Sequence, residues 1–176
     1  MKIGIDISQL AYENTGVANY LGSLVLEMVK NEDTKFILFF SSLRGKLPEI
    51  FLKLSDRPNV EIVIKKIPPA LLHLMWNVAH RNPIENFVGD VDLFITSDWT
   101  EPPAKRARKA TILYDLIVYK FPEETAKKIV GVQKKKLSWV MRESDIIFCI
   151  SESTKKDAQK ILGIDSSKLS VVYPGF

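Results

Sequence analysis

The sequence has few of the residues that build metal centres and disulfides. Cys149 is its only cysteine and cannot form an internal disulfide, and its two histidines, His73 and His80, have no evident third partner for a metal ion. Cys149 stands in the apolar run Ile-Ile-Phe-Cys-Ile, which is more typical of a small buried side chain than of a nucleophile. We therefore expect no metal centre and no catalytic cysteine.

Long apolar runs are also missing. No stretch approaches the ~18 apolar residues of a membrane-spanning helix. Residues 1–7 carry Asp6 within their apolar run and lack the small-residue cleavage site of a signal peptide. Together with the single cysteine, this predicts a cytoplasmic protein. The chain of 176 residues, 46% hydrophobic and 26% charged, is typical of one soluble globular domain.

Acidic residues are scarce in the later part of the chain. Residues 101–176 contain 15 Lys and Arg against 9 Asp and Glu, whereas residues 1–100 contain 10 against 12. Such asymmetry is typical of a surface that meets an anionic partner. A modest excess of lysine that keeps the protein soluble explains the same numbers.

Short runs of Ile, Val, Leu and Phe alternate with longer helical patterns along the whole chain. The predicted strands are Lys2–Ile7, Lys35–Phe40, Val60–Ile64, Leu93–Thr96, Thr111–Tyr114, Ile146–Ile150 and Leu169–Val172. The predicted helices are Val17–Lys30, Pro48–Leu54, Pro69–His80, Glu123–Arg142 and Glu152–Leu162. This order predicts a Rossmann-like, doubly wound, mostly parallel α/β sheet with helices on both faces. Ligands of such sheets bind beyond the carboxyl ends of the strands.

The loop after the first strand does not have the glycines of a dinucleotide-binding loop. Residues 8–16 contain one glycine, Gly16, instead of three, which disfavours NAD binding. Thr15 can cap the helix that follows. Gly16 then lets an anionic ligand approach the free N–H groups of the first turn, that of Val17 included. A capped turn without a ligand is the alternative interpretation.

The loop over residues 97–103 combines an aromatic side chain with two acids. Trp99, Asp98 and Glu101 suit the apolar face and the hydroxyls of a carbohydrate. A turn anchored by a buried tryptophan is the alternative.

Two further loops follow buried strands. Tyr114 and Asp115 end the fifth predicted strand, where an acid can orient a sugar hydroxyl or stabilise an Asx-type turn. Ser151 and Thr154 begin the last helix, where hydroxyls and free amides can hold an anion or serve only as a cap.

Taken together, these loops resemble those of one enzyme family. The segments that carry the resemblance are Gly4–Asp6, Thr15–Tyr20, Thr111–Leu116, Phe121–Glu123, Ile150–Asp157, Leu162–Gly163 and Val171–Gly175. In this order they resemble the N-terminal, acceptor-side half of family 4 retaining glycosyltransferases, over nearly the whole chain. The resemblance implies the GT-B fold, in which two Rossmann-like domains face a cleft.

The resemblance also implies roles for individual residues. Thr15, Gly16 and Val17 would approach the diphosphate or sugar of the donor, and Ser151 and Thr154 would lie nearby. Tyr114 and Asp115 would be the catalytic pair, with Tyr114 where many members have a histidine that contacts the transferred sugar. Relatives often carry another histidine where Ile95 and Thr96 stand here. Asp98, Trp99 and Glu101 would bind the acceptor.

The function implied is transfer of a sugar from a nucleotide-sugar to a glycan or lipid-linked acceptor, with retention of anomeric configuration. No metal or other cofactor is implied. Residues 1–176 would form one domain, and a C-terminal donor-binding domain, entered in relatives near Tyr173–Gly175, would hold the nucleotide. Without that domain the chain is expected to be inactive.

Two basic features suggest other partners. Lys105–Lys109 and Lys134–Lys136 are compatible with a non-catalytic module that binds anions or nucleic acid, although aromatic residues are not interleaved and no nucleic-acid-binding motif is present. The predicted helix Glu123–Arg142 has a cationic stripe opposite an apolar face that contains Ile129, Val130, Leu137, Val140 and Met141. The stripe consists of Lys127, Lys128, Lys134, Lys135 and Arg142. It predicts either a solvated surface or peripheral contact with anionic lipid on the inner face of the membrane.

Overall fold

A computed structural model describes residues 1–175 and contains one fully parallel sheet of seven strands. The strands are β1 Lys2–Asp6, β2 Lys35–Ser41, β3 Val60–Lys65, β4 Leu93–Thr96, β5 Arg108–Leu113, β6 Ile146–Cys149 and β7 Leu169–Val171. Their order in the sheet is β3-β2-β1-β4-β5-β6-β7, and every neighbouring pair is parallel. This confirms the predicted Rossmann-like, doubly wound fold.

Helices connect the strands, except that β4 and β5 are joined by a loop over residues 97–107. The helices are α1 Gly16–Met28, α2 Glu49–Leu52, α3 Pro69–Leu72, α4 Glu85–Val88, α5 Ile117–Lys120, α6 Lys127–Glu143 and α7 Glu152–Leu162. Beyond α3 the chain continues as a π-helical segment over His73–Val78. None of the helices in residues 1–175 is both long and apolar enough to cross a membrane.

Alternating side chains of β2 show that both faces of the sheet are covered. Phe36, Leu38 and Phe40 belong to the apolar core that contains the buried face of α1. Ile37 and Phe39 belong instead to a core shared with α3, the π-helical segment and α4. Continuous apolar strands are therefore a consequence of burial on two sides.

Several predicted boundaries were wrong. The long helix α6 begins at Lys127 rather than Glu123, because residues 122–124 form a separate 3-10 turn and Thr125 is extended. Strand β5 begins at Arg108, three residues earlier than predicted. Its second residue, Lys109, is a charged side chain that the fold buries, so no apolar signal marks this part of the strand.

The sheet has its topological switch point between β1 and β4. The chain winds from β1 outward to β3, returns to place β4 beside β1, and then winds outward in the other direction. The connections at the carboxyl ends of β1 and β4 therefore diverge and leave a crevice between them. The loops that begin at Ile7 and Ser97 border this crevice.

Candidate active site in the crevice

Two adjoining cavities occupy the crevice at the carboxyl edge of the sheet. The first, about 300 Å³, lies between the loop after β1 and the loop after β4. The second, about 210 Å³, lies between the loops after β4 and β5 and the face of α6. Both are lined by Val17, Asp98 and Trp99. Thr15 adds to the first cavity, and Tyr114 and Asp115 add to the second.

The start of α1 reaches the first cavity. Thr15 Oγ1 accepts a hydrogen bond from the backbone N–H of Ala18 at 3.2 Å, so the predicted helix cap is present. Gly16 is exposed, and a Cβ atom at this position would meet nothing within 4 Å in the described chain. Neither packing within residues 1–175 nor a left-handed backbone accounts for a glycine here.

Tyr114 is held at the back of the second cavity. Its hydroxyl lies 3.0 Å from Ser97 Oγ, and its ring packs edge-to-face on Tyr20 with 5.6 Å between the ring centroids. Burial raises the pKa of the Tyr114 hydroxyl. The phenol is therefore protonated at neutral pH and suited to hydrogen bonding rather than to acting as a base.

Asp115 is exposed beside Tyr114 and begins a turn. Its Oδ1 accepts a hydrogen bond from the backbone N–H of Ile117 at 2.9 Å, at the start of α5. This is the Asx-type turn that the sequence allowed. The carboxylate also lines the second cavity, where it remains accessible to a ligand.

Asp98 and Trp99 are fixed from behind by polar side chains. Gln133 Nε2 donates to Asp98 Oδ1 at 2.9 Å, and Asn77 Nδ2 donates to the carbonyl of Trp99 at 2.8 Å. Burial raises the pKa of the Asp98 carboxyl more than the attraction of Lys136 lowers it. The loop thus presents an acid and an indole ring in a defined place.

A match to a known family covers nearly the whole chain. A family model for Glycosyltransferase Family 4 matches residues 14–176. The chain belongs to Glycosyltransferase Family 4. Among curated proteins none matches its sequence. A protein from Burkholderia multivorans, provisionally described as a short-chain alcohol dehydrogenase, has a solved structure with 9% identity and a TM-score of 0.45, over 98% of this chain and 95% of that one.

The structure of this glycosyltransferase domain places one predicted acceptor residue in its interior. Glu101 is fully buried, accepts a hydrogen bond from Thr96 Oγ1 at 2.6 Å and lies 2.9 Å from the ammonium of Lys109. It lines neither cavity of the crevice. Both carboxylate oxygens face protein groups, so the prediction of a direct acceptor contact is not supported.

The start of α7 supports the crevice from behind. Ser151 Oγ accepts from the backbone N–H of Thr154 at 3.1 Å, and Thr154 Oγ1 donates to the carbonyl of Tyr114 at 3.0 Å. Neither residue lines the two crevice cavities. The capping interpretation describes this geometry, and the Thr154 hydroxyl also holds the Tyr114 loop in place.

Lys136 was not predicted as part of the site, although it lines the second cavity. It is fully buried, and its Nζ donates to the carbonyl of Ser97 at 2.6 Å and to Thr111 Oγ1 at 2.8 Å. Burial lowers the pKa of this ammonium, while Glu101 and Asp98 raise it. Helical spacing from Gln133 and Val140 places Lys136 on the buried face of α6, and this was the available sequence signal.

Beneath the crevice, charged residues form a chain of contacts. Lys109 Nζ lies 2.9 Å from Glu101 Oε1 and 2.8 Å from Glu143 Oε2, and Glu143 Oε1 accepts from His80 Nε2 at 2.7 Å. The His80 ring stacks on Trp139 with 3.6 Å between centroids. Lys109, from the predicted basic tract, thus pairs with the buried Glu101 and the half-buried Glu143 and contributes no surface charge.

The cationic stripe of α6 is only partly as predicted. Lys127, Lys128, Lys135 and Arg142 are exposed, whereas Lys134 is half-buried with Nζ 5.0 Å from the ring centroid of Tyr119. The predicted apolar face was wrong at two positions. Ile129 and Met141 are exposed at 39% and 37%, and Ile129 lines the second cavity together with Gln133 and Lys136.

Proposed function

We propose that this domain forms the acceptor side of a retaining glycosyltransferase that transfers a sugar from a nucleotide-sugar to a glycan or lipid-linked acceptor. One observation supports this most directly. Thr15, Val17, Asp98, Trp99, Tyr114 and Asp115, which were selected from separate loops of the sequence, line two adjoining cavities at the switch point. This is the place where doubly wound sheets bind ligands.

The donor diphosphate approaches the start of α1. The helix has 13 residues, and its first N–H groups carry a partial positive charge. The open space at Gly16 admits an oxygen close to the backbone. Since nothing in the described chain requires a glycine there, closeness to a ligand or to a second domain is the remaining physical reason.

The acceptor lies between Trp99 and Tyr114. The indole ring offers a flat apolar surface to a sugar ring, and the carboxylates of Asp98 and Asp115 accept hydrogen bonds from hydroxyls. The protonated Tyr114 hydroxyl donates to an oxygen of the bound sugar. In a same-face transfer the acceptor hydroxyl attacks as the diphosphate leaves, so catalysis depends on positioning and on stabilising the leaving group.

The nucleotide is held by a second, donor-binding domain, and neither a metal ion nor another cofactor takes part. Lys127, Lys128, Lys134, Lys135 and Arg142 add weak peripheral contact with anionic lipid at the cytoplasmic face of the membrane. A glycan or lipid-linked acceptor is brought near the crevice by this contact.

The direct test is an assay of the domain joined to its donor-binding half, with a panel of nucleotide-sugars and acceptors. We expect transfer without added metal, and we expect the product to have the anomeric configuration of the donor in an NMR spectrum. An inverted product would refute the retaining mechanism. Transfer that is unchanged when both Asp98 and Asp115 are replaced by alanine would refute the proposed acceptor site.

A further inference from the structure

A third cavity, of about 310 Å³, lies beside the crevice between α3 and α6. Most of its lining is apolar, and the lining residues are Tyr12, Pro69, Ala70, His73, Trp99, Thr100, Lys128, Ile129 and Val132. Tyr12 and Ile129 are exposed at 49% and 39%. The cavity shares Trp99 with both crevice cavities and Ile129 with the second one, so it is continuous with the proposed acceptor site.

The charged group that lines this cavity is a cation. Lys128 contributes an ammonium, and no aspartate or glutamate of the described chain lines the cavity. Asn77 Oδ1 accepts from the backbone N–H of Glu101, which directs Nδ2 toward Trp99 O at 2.8 Å and His73 Nδ1 at 3.0 Å. His73 Nδ1 is therefore an acceptor, and the neutral ring carries its proton on Nε2.

The electrostatic environment of His73 is positive. Burial lowers the pKa of His73, and Lys128 and Lys135 on α6 lower it further. An anion bound beside Lys128 would counteract the effect of both lysines on the pKa of His73. The cavity thus combines an apolar interior with a cationic edge, which is complementary to an apolar chain that carries an anionic group.

We propose that this cavity binds the apolar part of an anionic, amphiphilic acceptor and that Lys128 and His73 contact its anionic group. The inference rests on the proposed glycosyltransferase function and narrows its acceptor to the lipid-like class. The acceptor enters as a single dispersed molecule, with its chain between α3 and α6. Its reactive hydroxyl then lies on the Trp99 side, toward the crevice.

The test is an NMR titration of the two histidine rings with n-octyl phosphate below its micellar concentration. We expect saturable binding and a rise in the pKa of His73. His80, which is bonded to Glu143, serves as an internal reference whose signals do not move. Inorganic phosphate and 1-octanol should each bind at least tenfold more weakly, because inorganic phosphate lacks the apolar chain and 1-octanol lacks the anionic group.

Variants locate the binding site. Ala70→Trp places a large side chain in the cavity from an exposed position and should abolish octyl phosphate binding, whereas Leu71→Trp, at an exposed neighbour outside the cavity lining, should not. Lys128→Gln should raise the Kd for octyl phosphate about tenfold without changing that for octanol. Lys156→Gln, on α7, is the matched control.

Several results would overturn the proposal. These are undiminished binding by Ala70→Trp with native circular dichroism, equal binding of inorganic phosphate, and binding to anionic vesicles but not to dispersed octyl phosphate.

The binding assay uses no sugar donor, so it is independent of the proposed function. Octyl phosphate binding without any sugar transfer by the completed enzyme would refute the function alone. If the completed enzyme transferred sugar to acceptors that lack an apolar chain, and Ala70→Trp left this transfer unchanged, this inference alone would be refuted.

Discussion

At the residue scale, Gly16 is a glycine that contacts within residues 1–175 do not account for. Its backbone is not left-handed, and its missing side chain would contact nothing in residues 1–175. By contrast, a Cβ at Gly4 would lie 2.5 Å from the Phe94 ring. Gly4 is thus explained by packing in the core, whereas no contact within residues 1–175 explains Gly16.

We predict that Gly16→Val abolishes transfer by the completed enzyme while leaving the free energy of unfolding within about 1 kcal/mol, because helix propensities of these residues differ by less than that. The measurements are a transfer assay and urea denaturation. Gly131→Val is the matched control, since Gly131 also faces open space but lies within α6, outside the crevice lining. Full activity of Gly16→Val would place the donor elsewhere.

The buried charge of Asp98, a residue of the proposed acceptor site, should lower the free energy of unfolding at neutral pH. Its native pKa is raised above 3.8 by burial, so the folded state holds the proton more tightly than the unfolded state. The cost of burying the charge is absent below pH 3.8 and complete above the native pKa.

Asp98→Asn should therefore raise the free energy of unfolding at pH 7 by on the order of 1 kcal/mol, a common size for stabilising substitutions. The gain should vanish near pH 3, where the wild-type carboxyl is protonated in both states. Acceptor binding should weaken at pH 7. Urea denaturation at the two pH values checks the stability, and a gain equal at both would contradict the assignment to charge burial.

Helix α6 has two functions at the element scale. Its inner face places Gln133 and Lys136 against the loop after β4 and fixes Asp98 and Ser97. Its outer face carries exposed cations beside Met141. The buried face combines Lys136 with Leu137 and Val140. It differs from the simple amphipathic pattern because the buried ammonium is matched by hydrogen-bond partners on β5 and the loop after β4.

We predict weak binding of the domain to anionic vesicles and none to neutral vesicles, since each cation near an anionic surface contributes up to about 1 kcal/mol. Raising the salt concentration should release the protein. Replacing Lys127, Lys128 and Lys135 by glutamine should reduce sedimentation with vesicles, whereas Lys156→Gln should not. Equal sedimentation with anionic and neutral vesicles would contradict the prediction.

At the scale of the whole molecule, one continuous sheet joins three apolar cores. Tyr20 on α1 also donates a hydrogen bond to the carbonyl of Val172 at 2.9 Å, across 152 residues of sequence. This contact ties the first helix to the residue that follows the last strand. Folding should consequently be a single cooperative transition.

We predict that these 176 residues alone transfer no sugar from any nucleotide donor, although they unfold in one transition. An anion at an exposed helix start gains about 0.3–1 kcal/mol, against the ~8 kcal/mol or more that ordinary enzymes remove from a barrier. Coincident urea curves from circular dichroism and fluorescence check the folding. A radiolabel transfer assay, with and without the donor-binding domain, checks the activity, and transfer by the 176 residues alone would contradict the prediction.

Local sequence determined most of the fold. Continuous apolar runs such as those of β2 predict buried parallel strands, and Thr15 and Ser151 mark the helices that they cap. The burial of Cys149 was also predicted and is confirmed, and burial raises the pKa of its thiol to about 11. These properties depend on neighbours within a few residues, so a single sequence reveals them.

Tertiary structure decided which charges lie inside. Glu101, in the loop after β4, meets Lys109 of β5, and Glu143 joins them from the end of α6. Lys136 reaches Ser97 across 39 residues. In the sequence Glu101, Lys109 and Glu143 have the pattern of surface charges, and Lys136 differs only by its helical spacing from Gln133 and Val140. A buried charge is stable only when a partner compensates for lost hydration, and that partner is supplied by the chain's path through space rather than by its local sequence.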